Sequence, residues 1–456
     1  MTPEVAPPPA GGFDVEVDTL IVGAGACGLV AALAAIEAGR EALVVEADAR
    51  PAGSTALSAG LIPAAGTALQ RAAGIDDCPA RFAADIQAKA HHENDPALVA
   101  ALAEGAAHVV DWLMDRHGLP FTLVDDFDYP GHSRRRMHGL PTRSGAELVD
   151  ALRAACERAG VDVVCDRRVE TLHRDGRRVA GASARRPDGA VESIGCGRLV
   201  LACNGFGGDR AMVERHAPEI ADALWFGHDG NRGEAILWGE RLGAAVRHLG
   251  AYQGHGNVAH PHGILVTWAT VTEGGVQLNG RGMRFHDESR GYSEAARAVL
   301  AQPGGTAVTV FDERIAAVAR QFEDFRRAEA AGAVKDAATP EALAVAFGLP
   351  VEATARTLRE LPRNGEDGFG RAFGDAPLQP PYRGVRVTGA LFHTQGGLAV
   401  RGEDARVLDV GGEPFPNLFA GGGAACGVSG RGDAGYLSGN GLLSAVVLGR
   451  AAGRAR

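Results

Sequence analysis

The 456-residue sequence contains no uninterrupted apolar run of about 18 residues, the length a bilayer-spanning helix needs, so no membrane span is expected. Its opening, MTPEVAPPPAGG, lacks a basic stretch leading into an apolar one. That excludes a secretory signal and makes residues 1–14 read as a disordered tail. The seven cysteines, at positions 27, 78, 156, 165, 196, 203 and 426, form no CxxC or CxxCH motif. Covalent c-type haem and an evident iron–sulfur or zinc site are therefore excluded, no metal is expected, and the pattern fits a reducing cytoplasm. Positive charge is in deficit, with a formal net charge of −10, which argues against nucleic acid as a partner.

Glycine, by contrast, is abundant, with 64 residues. The stretch VDTLIVGAGACGLVAALAAIEAGREALVVEAD reads as a buried strand, a glycine turn, a helix and a second strand that ends on an acid. Gly23, Gly25 and Gly28 form G-x-G-x-x-G in that strand-to-helix context, and Glu46 follows at the distance of a ribose-binding acid. A dinucleotide site follows from this arrangement, with pyrophosphate at the helix N-terminus. The next segment, ARPAGSTALSAGLIPAAGT, is rich in small residues that let a bulky isoalloxazine lie against backbone. GRLVLACNGFGGD and NLFAGGGAACGVSGRGDAGYLSGNGLLSAVVLGRAAG again run from strand into glycines. A cofactor touched by first, middle and last segments implies a binding domain interrupted by an insertion.

With these segments in view, the chain resembles the flavoprotein family of fumarate reductases, succinate dehydrogenases and 3-ketosteroid Δ1-dehydrogenases. The likeness covers most of residues 17–70, the Cys203 region, residues 254–302, and residue 389 to the end. It implies an α/β fold, a Rossmann-like FAD-binding domain (residues 15–250 and 384–456) split by an α+β cap at 251–383. The segment RNGEDGFGRAF resembles the family signature that closes the cap. The implied cofactor contacts are Gly23, Ala24, Gly25, Cys27, Gly28, Glu46 and Ala47 in the fingerprint. Gly53, Ser54, Thr55, Ser58, Ala59 and Gly60 follow in the small-residue loop, then Val169, Cys203, Asn204 and Gly205, and finally Gly422, Gly423, Asn440, Gly441 and Leu442. Members with covalent FAD carry a histidine in that loop, and this one has Ser54, which implies non-covalent FAD. Gly423 stands where relatives commonly carry a glutamate reaching the ribityl chain.

On the substrate side the resemblance implies His260-Pro261, Thr272-Glu273 and His393 as substrate-facing groups. Counted without a gap, the family's proton-donor arginine falls on Tyr292, while Arg290 lies two residues away and a shifted register would present it instead. The arginines that clamp a dicarboxylate are missing from TEGGVQLN and replaced by Tyr436 in GYLSGNGL. Without bidentate, charge-assisted bonds, a dianion would be desolvated with little compensation. Tyr292 and Tyr436 instead match tyrosines of the ketosteroid dehydrogenases, and Tyr129 in FDYPGHS is the counterpart of a third. The implied reaction is desaturation beside a ketone, with a base taking the α proton and hydride passing to flavin N5. Three other readings stay open: an ene-reductase, a tricarboxylate dehydrogenase, and an electron-transfer subunit. The first two would need a new clamp from Arg290 and the arginines of SRRRMHG. The electron acceptor is external: a quinone, oxygen or a carrier protein.

Overall fold

The computed structural model describes residues 3–125 and 128–456. The apolar run before the fingerprint forms the strand Val15–Val22, fully buried at its C-terminal half. It pairs in parallel with Ala42–Val45 on one side and with Val191–Leu201 on the other. Val191–Leu201 in turn pairs in parallel with Pro414–Ala420 from the far end of the chain. This sheet has nine strands, so first, middle and last segments share one surface. The helix Ala26–Glu37 carries ten consecutive buried residues, Ala26 to Ala35, because small side chains let it pack on all sides. The C-terminal helix Asn440–Arg454 lies against it.

A second sheet has seven strands, with Tyr382–Thr394 at its centre. Tyr252–Ala259 and Thr306–Asp312 flank that long strand in antiparallel pairing. The sheet also recruits Leu224–Trp225 beside Ala390–Leu391. Its unit thus extends beyond both ends of the expected 251–383 cap, and a single continuous strand carries the chain from the cap core to His393.

Part of the expected N-terminal tail is ordered: Glu4–Ala6 is a strand that pairs in parallel with Arg168–Asp175. A side chain near it, His173, bonds the Pro7 carbonyl at 2.8 Å, which helps fix the segment. Residues 1 and 2 of that tail lie outside the described residues. One helix, Pro96–His117, is long and apolar enough to cross a membrane by composition alone. Its buried residues, among them Leu98, Leu102, Val109 and Leu113, join the main core. All seven cysteines are unpaired, and no cluster of metal-binding side chains occurs among the described residues.

Candidate active site

A cavity of about 730 Å³ runs from the glycine fingerprint to the second sheet. At its dinucleotide end, the Ala24 N–H donates to Glu46 Oε2 at 2.7 Å and the Asp48 N–H to Oε1 at 3.1 Å. These bonds hold the acid against the glycine turn. Gly28 is a packing residue: a Cβ there would lie 1.9 Å from the Gly23 carbonyl oxygen. Gly25 borders the cleft, and a Cβ there would meet only Thr55 Oγ1, at 3.4 Å. Thr55 accepts from the Ala26 N–H at 3.1 Å, tying the small-residue loop to the helix N-terminus.

At the other end the wall is aromatic. The Tyr292 hydroxyl donates to Ser438 Oγ at 3.0 Å. Its ring stacks on His255, with centroids 4.8 Å apart, and meets Tyr436 edge-on at 6.1 Å. His255 continues the stack onto Phe392 at 5.1 Å, and Phe392 onto Phe226 at 4.8 Å. Tyr129 also lines the cavity, packing beside Leu61, Val124 and Met137.

The local sequence explains why His255 reaches this position. Gly254 and Gly256 flank it on the strand Tyr252–Ala259, and successive strand residues face opposite sides. A Cβ at Gly256 would come within 2.6 Å of Ala295 and one at Gly254 within 2.8 Å of Ala296, so both glycines admit the helix Tyr292–Leu300. His255, between them, turns toward the cavity. Ser293 then donates no side-chain bulk to the seam but accepts the Gly254 N–H at 2.9 Å.

Burial dominates the protonation of these groups. It pushes the Tyr292 phenol well above its ordinary range, the nearby Tyr436 adds to the rise, and the Ser438 hydrogen bond opposes it. Tyr436 is likewise raised by burial, with the Gly441 and Gly439 amides opposing. His255 is pushed down to about 3 and His393 to about 4, so both rings are neutral near pH 7. Gln395 Nε2 donates to His393 Nδ1 at 2.8 Å, which leaves the ring proton on Nε2.

Of the residues expected on the substrate side, the structure brings Tyr292, Tyr436, His393 and Tyr129 to one cavity and leaves four outside it. His260 is exposed, beyond the end of the buried strand. Arg290 is exposed and held by its backbone: its carbonyl accepts from Lys89 Nζ at 2.9 Å and its N–H donates to the Asp287 carbonyl at 3.5 Å. Thr272 is the exposed last residue of a short helix that is otherwise buried, and it bonds back to the Trp268 carbonyl at 3.4 Å. Glu273 faces Arg314 at 3.8 Å. The arginines of SRRRMHG form no clamp either. Arg136 is buried against Asp77 at 2.9 Å and Asp85 at 2.5 Å, Arg135 pairs with Asp128, and Arg134 bonds the Asp76 carbonyl. His255 and Ser438 were not foreseen.

The FAD binding domain family matches residues 18–442 of the chain. This chain belongs to that family. Probable fumarate reductase Ifc3 of Shewanella frigidimarina (strain NCIMB 400) is 32% identical over 454 residues, covering 97% of this chain and 75% of that protein. The solved open conformation of a flavocytochrome c3 fumarate reductase matches with a TM-score of 0.81 at 31% identity, covering 98% of this chain and 78% of the other. The 3-ketosteroid-Δ4-(5α)-dehydrogenase of Rhodococcus jostii RHA1 matches with a TM-score of 0.77 at 26% identity, covering 98% and 99%. The protein is therefore an FAD-dependent oxidoreductase of the fumarate reductase family, whose members act on CH–CH bonds.

FAD fits the cavity. Gly23, Gly25, Cys27, Glu46, Ala47, Gly53, Ser54, Thr55, Ser58, Ala59, Val169, Cys203, Asn204, Gly422, Gly423, Gly441 and Leu442 all line it. Ala24, Gly28, Gly60, Gly205 and Asn440 stand behind that lining; Asn440, fully buried, donates to Ser429 Oγ at 3.2 Å. The missing glutamate at position 423 has a steric reason. A Cβ there would lie 2.1 Å from Asn204 Oδ1, which the Gly205 N–H holds at 2.8 Å.

Proposed function

We propose that the enzyme desaturates a CH–CH bond beside a ketone. The observation that carries this reading is the Tyr292 hydroxyl, 3.0 Å from Ser438 Oγ and set in a wall of neutral rings beside Tyr436. Bound FAD, held without a covalent bond, supplies the acceptor for the β-hydrogen as hydride. Tyr436 donates its O–H to the carbonyl oxygen, where charge grows as the α C–H bond weakens. Tyr292 acts as the base only after its own phenol proton has passed out to solvent past Ser438, an ionisation that burial opposes. The phenolate Oη then takes the α proton and returns to the neutral phenol, while Ser438 donates its hydroxyl to the phenolate. His393, neutral and fixed by Gln395, braces the Tyr436 ring at 5.6 Å. Water exclusion comes from Trp268, Phe392 and Phe226.

A dicarboxylate suits this wall poorly. The arginines that line the cavity already have protein partners: Arg167 with Glu192, Arg168 with Glu234, Arg143 with Gln321 and Arg327 with Asp324. A second reading, reduction of an unsaturated carboxylate, draws support from the 32% identity to a probable fumarate reductase. Arg143 and Arg327 would then have to exchange partners. In either direction the electrons pass between FAD and an external quinone, oxygen or carrier protein.

Anaerobic titration of the holoenzyme tests the reading. Cyclic ketones should bleach the flavin absorbance, and the bleaching should vanish in Tyr292→Phe. Bleaching by saturated carboxylates alone would overturn it in favour of the second reading, and full bleaching by ketones in the variant would remove Tyr292 from the proton transfer.

A further inference from the structure

One six-residue loop, 226–231, bonds across the dinucleotide cleft at two points. His228 Nε2 lies 2.8 Å from Asp48 Oδ2, two residues beyond Glu46. The Gly230 N–H donates to His228 Nδ1 at 3.0 Å, so the ring carries its proton on Nε2 and donates to Asp48 without needing a positive charge. Asn231 is 4% exposed, and its Nδ2 donates to Ser54 Oγ at 2.7 Å. Asp48, Ser54, His228 and Asn231 line the same cavity as Gly25 and Glu46. Each bond therefore joins two separate segments of the cavity wall, the stretch after Glu46 and the loop 226–231. The start of the loop is anchored separately, through Phe226 stacked on Phe392 at 4.8 Å.

We propose that loop 226–231 is a strap that retains FAD: His228–Asp48 and Asn231–Ser54 close over the bound dinucleotide, and both must break before it leaves. A hydrogen bond of ordinary strength, lost from the bound state alone, corresponds to a roughly five-fold change in a rate. The strap concerns cofactor retention and is independent of which substrate the aromatic wall accepts, so its failure and that of the ketone reading are separable.

The test follows the rise in free-FAD fluorescence after dilution of purified holoenzyme. His228→Ala and Asn231→Ala should each speed dissociation roughly five-fold, and His228→Gln, which keeps a donor, should recover most of the loss. Asp229→Asn, an exposed change in the same loop, should leave the rate alone. Combining His228→Ala with Asp48→Asn should add little to the single effect, because both remove one bond. Melting of each variant in saturating FAD supplies the control for folding. Dissociation within about two-fold of the parent in both alanine variants would overturn the proposal, as would equal acceleration by Asp229→Asn. A lowered melting point with unchanged dissociation would also overturn it, since the bonds would then serve the fold alone.

Discussion

Glu288 and Tyr292 sit four residues apart in the stretch DESRGYSE, and the protein treats them in opposite ways. Glu288 is fully buried and surrounded by charge: it accepts from Arg284 Nε at 2.9 Å, Arg371 Nη1 at 3.0 Å and the Gln277 N–H at 3.0 Å. Burial raises its carboxyl pKa, but the bond from Arg284 and the fields of Arg371 and Arg284 outweigh that, and it ends below the usual range. Tyr292 has no ion pair; its neighbours are His255, Trp268, Tyr436 and Ser438. Charge is thus spent on holding this loop, and Tyr292, the group proposed to meet substrate, is left neutral. A carboxylate locked between two guanidiniums stays ionised near neutral pH, whereas the Tyr292 phenol, raised by burial and opposed by its one hydroxyl partner, stays protonated until something removes its proton.

The largest effects should separate these two roles. Tyr292→Phe should lower kcat for desaturation by about 10²- to 10⁴-fold, the span of a lost proton-transfer group, with flavin content and melting temperature unchanged. Steady-state kinetics beside a thermal melt checks both halves. Glu288→Ala should do the reverse and cost about 3–5 kcal/mol of stability, because it leaves Arg371 buried without its counter-charge and takes from Arg284 one of its two, Asp367 being the other. Denaturant titration measures it. A Glu288→Ala protein of full stability and low kcat would erase the distinction.

Acid should also take the two regions apart in sequence. His255 has a folded pKa of about 3 against an ordinary 6.5, so the folded state binds fewer protons than the unfolded chain. Its contribution is intact above pH 6.5 and is lost as pH falls from there toward 3. Glu288, lowered from an ordinary 4.5, keeps its contribution until the pH falls below that value. Stability should therefore decline from about pH 6.5 and steepen below 4.5. Melting temperature against pH shows both phases, and His255→Phe, which keeps the stack, should weaken the first alone.

Which of these features were legible in the sequence depends on how each is specified. The fingerprint was, because G-x-G-x-x-G between a strand and a helix, followed by Glu46, is a local pattern with a local cause. The anchoring of Glu288 was not, because its partner Arg371 comes from the RNGEDGFGRAF signature 83 residues away. Tyr292 and Tyr436 were placed by counting along segments that keep their length. The resemblance points to His260 through the pair His260-Pro261 and passes over His255, because the chain alone does not say which histidine of HGNVAHPH is buried. The signal was present all the same: a histidine between two glycines on an apolar strand marks a backbone approached closely on one face and a ring displayed on the other. Ser438, two residues past Tyr436, lies in a loop whose path no periodicity encodes. Asp48–His228 and Ser54–Asn231 join residues about 180 apart, and nothing in either segment announces the other.

The smallest expected effect decides between the neighbours Arg290 and Tyr292. Arg290 is exposed, and the structure uses its carbonyl, to which Lys89 Nζ donates at 2.9 Å; Lys89 also pairs with Glu294. An alanine keeps that carbonyl, so Arg290→Ala should change kcat by less than about two-fold, as surface changes that spare buried contacts do. The measurement is turnover in both directions, ketone desaturation and reduction of an unsaturated carboxylate. A large loss in reduction alone would mean that the loop swings Arg290 inward when a carboxylate binds, and that the exposed position belongs to one state of a two-state cap. Equal, small effects in both directions would leave Tyr292 as the proton-transferring group whichever way the enzyme runs.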